Sequence, residues 1–244
     1  MKLSGNTILI TGGGSGIGLA LAKAFVLRGN TVIVCGRNAQ RLEAVHKDNP
    51  AVVAFPCDIA SDQDQQRLVD HITQKYPNLN MLINNAGIQH NYDFSDTKSH
   101  ATLIEEEVNT NFLSHVKLTD LFLPFLLRQP NAAIVNITSA LAVVPKQSAP
   151  VYCATKAAMH NFTQALRYQL ENTSTKVFEI IPALVDTEMT KGRGKGKMAP
   201  EALAEEALRG IESDKYEIRI GKTKILFALY RFLPSVAKKI IRRG

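Results

Sequence analysis

The chain has 244 residues, 45% hydrophobic and 21% charged, an ordinary globular composition with enough apolar mass for a sizeable core. Its formal charge of +7 is local: eight basic residues and no acid lie from Arg219 to Gly244, leaving 21 basic against 22 acidic side chains elsewhere. A near-neutral body argues against nucleic-acid binding, and three widely spaced cysteines, Cys35, Cys57 and Cys153, suggest neither a metal site nor a disulfide framework.

The run from Met1-Lys2-Leu3-Ser4 straight into an apolar segment carries no signal pattern, so a reducing cytoplasm is the expected compartment. Thr7-Ile8-Leu9-Ile10 reads as a buried strand. Thr11-Gly12-Gly13-Gly14-Ser15-Gly16-Ile17-Gly18 follows it, and Leu19 to Phe25 reads as a helix. Strand, glycine turn and helix N-terminus together suit a dinucleotide pyrophosphate. Glycines let the backbone approach, and free N–H groups at the positive end of the helix dipole face the anion.

Further on, apolar runs alternate with helical patterns, as in a parallel βαβ sheet. Strands are expected at Thr31–Cys35, Ala51–Phe55, Met81–Asn84, Ala133–Ile137, Val177–Ile181 and Glu217–Ile220. Helices are expected at about Ala39–His46, Asp62–Tyr76, Ala101–Leu127 with a bend at Pro124, Pro150–Asn172 and 200–212. One doubly wound α/β domain of Rossmann type, with about seven strands, thus spans residues 1–221. Residues 222–244 form a basic amphipathic helical extension of it.

The cofactor is read from the end of the second strand. An acid there grips the adenosine ribose of NAD, whereas an Arg accommodates the 2′-phosphate of NADP. No acid occurs between Gly18 and Glu43, and Gly36-Arg37-Asn38 offers a cation and an amide, so NADP(H) is favoured over NAD(H). Asp58, ending the third strand, is either an adenine contact or a loop residue with a turn role.

Tyr152 and Lys156 are four residues apart and share one helix face. A nearby ammonium favours the phenolate, and a tuned Tyr can then exchange a proton with a carbonyl oxygen. Ser139 ends the fifth strand, at the carboxyl edge where open α/β sheets bind ligands, so both hydroxyls can converge on one oxygen.

With these pieces in order, the chain resembles the short-chain dehydrogenases/reductases of the single-domain type. The matching segments are the Thr11–Gly18 turn, Asn84-Asn85-Ala86-Gly87, Asn111, Ser139, Tyr152-Cys153-Ala154-Thr155-Lys156, and Pro182 through Thr187. They cover about residues 3–221. The resemblance implies Tyr152 as acid–base, and Lys156 as the group that lowers its pKa and holds the nicotinamide ribose. It implies Ser139 as the group polarising the substrate oxygen and Asn111, rather than Asn109, as part of a proton relay. Cofactor contacts would come from Thr11, Gly12, Gly14, Ser15, Gly16, Ile17, Gly18, Arg37, Asn38, Asp58 and Ile59. Asn85, Ala86, Gly87, Tyr152, Lys156, Pro182, Val185 and Thr187 would complete them. No metal site is expected. The implied reaction interconverts a carbonyl and an alcohol on a small, apolar substrate; the alternative is an NADP(H)-binding sensor or scaffold without turnover.

Two departures stand out. Pro182-Ala183 replaces the family's Pro-Gly. A helix-like segment from Thr223 to Arg243 replaces the strand and glycine-rich tail that builds a tetramer, so a homodimer is expected. Substrate-side positions follow the fourth and fifth strands: Ile88, Gln89, His90, Ala140, Leu141, Val143, Val144, Pro145, Gln147 and Ala149. The loop Glu188–Met198 alternates Gly with Lys or Arg and reads as a flexible, solvated lid. The tail reads as a dimer arm in preference to a contact with an anionic membrane surface.

Overall fold

The computed structural model describes residues 1–242. Seven strands form one parallel sheet: β1 (Thr7–Thr11), β2 (Thr31–Gly36), β3 (Val52–Pro56), β4 (Leu79–Asn84), β5 (Ala132–Ile137), β6 (Thr175–Ile181) and β7 (Glu217–Arg219). Their order across the sheet is β3-β2-β1-β4-β5-β6-β7. Helices link them: α1 (Gly16–Val26), α2 (Ala39–Asp48), α3 (Asp62–Lys75), α4 (Ala101–Val108), α5 (Ser114–Leu126), α6 (Pro150–Gln169) and α7 (Pro200–Glu212).

Strand alternation builds two cores. Ile8 and Ile10 point to one face, where Leu21, Phe25, Leu203 and Leu208 cover them. Leu9 between them points to the other, with Leu68, Leu118 and Phe122. The fully buried Phe25, Phe122 and Phe178 each stabilise the fold by about 1.5–3 kcal/mol. The strand order reverses between β1 and β4, and the resulting switch point opens a crevice at the carboxyl ends of the strands.

The long helix expected at Ala101–Leu127 is interrupted. Asn109–Leu113 form a π-helical turn between α4 and α5, whereas Pro124 stays inside α5. Side-chain bonding explains the turn's position. The Asn111 amide is drawn to the backbone of Ile88, donating to its carbonyl at 2.9 Å and accepting from its N–H at 2.8 Å. α6 stops at Gln169, three residues early, and β6 begins at Thr175, two residues early.

The tail is two helices, not one: α8 (Thr223–Phe232) and α9 (Pro234–Arg242). Pro234 cannot donate to the helix before it and favours extended backbone at Leu233, which sits at φ −136°, ψ 64°. The hairpin folds back on its own chain. Ala237 is fully buried, α8 packs on a short 3-10 turn at Ala140–Ala142, and the Gln147 N–H donates to the Arg242 carbonyl at 3.1 Å. Arg243, the last residue of the expected segment, lies outside the described residues. No helix among the described residues is long and apolar enough to cross a membrane.

Candidate active site

The glycine turn leaves β1 and enters α1 under tight steric limits. Gly12 has φ +67°, and a Cβ there would stand 2.8 Å from the Ala86 Cα. A Cβ on Gly18 would meet the Gly12 carbonyl oxygen and the Asn85 Nδ2, each at 2.5 Å. Glycine at these places lets the turn lie against the strap that follows β4. Ser15 stands at the N-cap of α1 in extended backbone, and its side chain accepts no bond from the first helical N–H groups, which are left for a ligand.

The cavity above the turn has a volume of about 390 Å³. Gly12, Gly14, Ser15, Gly16 and Ile17 line one part, and Arg37, Asn38, Asp58 and Ile59 another. Asn85, Ala86, Gly87, Tyr152, Lys156, Pro182 and Thr187 complete the predicted set that faces it. Five predicted residues stand behind this wall. Thr11 is buried, and its Oγ1 accepts from the N–H groups of Asn85 and Ala86 at 2.9 and 3.0 Å. Gly18 lies beneath the turn, and Val185 is buried where it bridges to Met198. Asn111 and Ser139 are also buried beside the cavity.

Several of these residues hold the frame as well as face it. The Asn38 side chain caps α2, accepting from the Arg41 N–H at 2.9 Å. Asp58 fills the turn role, its Oδ1 accepting from the Ala60 N–H at 3.0 Å. The Asn85 amide donates to the Thr11 carbonyl at 2.9 Å. Thr187 stands against the glycine turn, 3.1 Å from where a Gly16 Cβ would be.

At the opposite end, Lys156 donates from Nζ to the Ile137 carbonyl at 2.8 Å and stands 5.7 Å from the centre of the Tyr152 ring. Burial lowers its ammonium to about 8. Burial also pushes the Tyr152 phenol up to about 12, opposed by the Ser139 hydroxyl and the charge of Arg193. Desolvation of the phenolate, and not the expected lowering by Lys156, sets the direction of this shift. Burial thus favours the neutral phenol at Tyr152.

Three residues that sequence reasoning passed over, Arg41, Glu107 and His115, and one it had placed in the lid, Arg193, support or charge this site. Arg41 lines the cavity beside Arg37, its guanidinium 3.4 Å from the Ser15 hydroxyl and 2.9 Å from Glu188. Its signal was its place one turn after Arg37. Glu107 is fully buried and accepts from the Tyr92 hydroxyl at 2.8 Å and the His90 N–H at 3.0 Å, fixing the segment after Gly87. His115 donates from Nε2 to the Ala86 carbonyl at 2.8 Å, and burial lowers it to about 4, so it is neutral. Arg193, in the lid, has a buried Nη1 without a partner among the described residues, as has the Gln89 Nε2.

On the substrate side, Ile88 faces the cavity. Leu141, Pro145 and Gln147 line a second groove, with Lys238 and Arg242, that shares no lining residue with the cavity. Val144 and Ala149 are fully buried and serve packing. Within the Glu188–Met198 loop, Lys197 donates to the Thr190 carbonyl at 2.7 Å and pairs with Asp186 at 3.1 Å.

A family model described as short chain dehydrogenase matches residues 6–197. An uncharacterized oxidoreductase, DltE, of Bacillus subtilis (strain 168) is 44% identical over 217 residues, covering 88% of this chain and 83% of that protein. A short-chain dehydrogenase from Burkholderia cenocepacia J2315, solved in complex with NADP, superposes with a TM-score of 0.88 over all of both chains at 23% identity. Another from Burkholderia phymatum, in complex with NAD, superposes with a TM-score of 0.85 at 20% identity, covering 100% of this chain and 97% of that one.

Proposed function

Because this chain belongs to the short-chain dehydrogenases, a family of NAD(P)-dependent oxidoreductases, we propose that it uses NADP(H) to interconvert a small apolar carbonyl compound and its alcohol. The observation that carries this reading is the gathering of Tyr152, Lys156 and the glycine turn on one cavity, with Ser139 buried at its edge.

The cavity fits a dinucleotide. The turn leaves no room for side chains at Gly12 and Gly18, and the α1 N-terminus has no side-chain cap. Gly14, Ser15, Gly16 and Thr187 would hold the pyrophosphate. Arg37 and Arg41 would take the 2′-phosphate as two guanidinium groups. Asp58 and Ile59 would flank the adenine, and Asn85 to Gly87 the riboses. When bound, the nicotinamide supplies or accepts the hydride.

The chain's own groups handle the proton. Tyr152 donates it to the substrate oxygen during reduction, and Ser139 directs a hydrogen bond to that oxygen. The Lys156 ammonium stabilises the tyrosinate that forms. Asn111 fixes the Ile88 backbone next to Lys156 and keeps open the route by which protons return.

One experiment with two arms tests the reading. Tyr152→Phe should lower turnover of test ketones and aldehydes by roughly 10²–10⁴-fold while NADPH still quenches or shifts fluorescence as in the wild type. Turnover equal to wild type sinks the catalytic assignment. In the second arm, Arg37→Gln and Arg41→Gln should each weaken NADPH binding about tenfold and leave NADH binding unchanged. Tighter NADH than NADPH binding by the wild type overturns the cofactor choice.

A further inference from the structure

The C-terminal hairpin leaves an apolar stripe uncovered. Ile225 and Phe232 on α8 are 71% and 76% exposed, and Leu233, Val236 and Ile240 are 55%, 44% and 58% exposed. A spacing of seven places Ile225 and Phe232 on one side of α8, and a spacing of four places Val236 and Ile240 on one side of α9. Phe232 and Leu233, consecutive in the chain, join the two sides at the turn. The hairpin is not a loose end. Ala237 is fully buried on another side of α9, and Arg242 is tied to Gln147 through backbone and side chain, at 3.1 and 3.2 Å.

The charge around this stripe has one sign. The segment from Arg219 to Gly244 holds eight cations and no acid. Arg219 and Lys224 pair with Glu217 and Glu206, but no ion pair of Arg231, Lys238, Lys239 or Arg242 occurs among the described residues. By helical spacing, Arg231 and Lys239 flank the apolar side chains.

Two surfaces have the chemistry to cover such a stripe. A second copy joined by a two-fold axis would set the same patch against itself, bringing two sets of cations together with no carboxylate between them. An anionic lipid surface has no such conflict: apolar side chains enter the acyl boundary and cations meet phosphates. We propose that the C-terminal hairpin docks this chain on an anionic lipid surface. Phe232, Leu233, Val236 and Ile240 enter the interface, and Arg231 and Lys239 hold the headgroups. The proposal does not depend on the reaction assigned to the cavity.

Co-sedimentation of the full chain with vesicles tests it. Vesicles of phosphatidylcholine with roughly 30% phosphatidylglycerol should bind the protein, with binding lost at high salt and on pure phosphatidylcholine. The double variant Val236→Ser, Ile240→Ser should partition about tenfold less. Arg231→Ser and Lys239→Ser should each cost roughly fivefold, the equivalent of about 1 kcal/mol per cation. NADPH titration and thermal melting of each variant, both unchanged, show that the fold is kept. Wild-type protein that stays in the supernatant when anionic vesicles sediment overturns the proposal. So does a dimer in sedimentation equilibrium that Val236→Ser, Ile240→Ser dissociates, because a second copy then covers the stripe.

Discussion

Burial acts in opposite directions on the two titrating groups that α6 turns toward the cavity. It raises the Tyr152 phenol to about 12 and lowers the Lys156 ammonium to about 8, because each loses solvation in its charged form. The phenol is therefore a proton donor through the neutral range, which suits carbonyl reduction. Lys156 carries its charge below about 8 and loses it above. The kcat/KM for reduction should accordingly be flat below pH 8 and fall as pH rises past it; a profile that climbs through this range would contradict the assignment. Tyr152, Lys156 and Ser139 were legible as residues, since their types and spacing name a chemistry. Arg41 was not. A basic residue inside a helix usually lies on a solvated face, and only the approach of α2 to the turn brings it to the cavity.

Among the elements, the glycine turn and the interrupted helix show different degrees of legibility. Glycines between a strand and a helix announce a turn, and Gly18 marks how close its neighbours come. Gly18→Ala would force a Cβ against the Gly12 carbonyl and the Asn85 amide. The variant should lose roughly 1–3 kcal/mol of stability in denaturant melts, and NADPH binding with it. Wild-type stability would show that the strap can retreat. The helix over 101–127 was legible as helical, but its flaw was assigned to Pro124. The structure puts a π-helical turn at Asn109–Leu113 instead. Proline advertises a missing donor wherever it stands. An asparagine pulled toward Ile88, 23 residues earlier in the chain, gives no local sign. Glu107 was missed for the same reason: its partners Tyr92 and His90 belong to a loop whose path the sequence does not trace.

At the scale of the molecule, a buried network ties α6 to the sheet. Glu179 of β6 is fully buried, accepts from the Thr138 hydroxyl at 2.6 Å and lies 2.8 Å from the His160 Nδ1. The hydrogen bond to Glu179 raises the His160 imidazolium above its ordinary value. Such a group contributes stability that is full below its unfolded pKa of about 6.5 and is lost as pH rises through the folded one. His160→Gln should therefore lower Tm more at pH 6 than at pH 9, and an equal loss at both would mean that the pair carries no charge. The hairpin of α8 and α9 is the largest feature added at this scale. Its sequence promised one amphipathic segment; its fold is two helices held against the Ala140–Ala142 turn and Gln147, with the apolar stripe turned outward.

By itself the sequence determined the parallel α/β architecture, the place of the glycine turn and the residue types at the carboxyl edge. Those depend on alternation, helical spacing and glycine, which are local properties of the chain. Tertiary structure decided which residues reach the cavity and which stand behind it, placing Arg41 in its wall and Thr11 and Val185 out of it. It also decided that burial governs Tyr152, and that the tail turns back at Leu233. Each of these depends on how far apart two distant segments lie once packed, and on the water excluded between them, and neither quantity is written in a local stretch of chain.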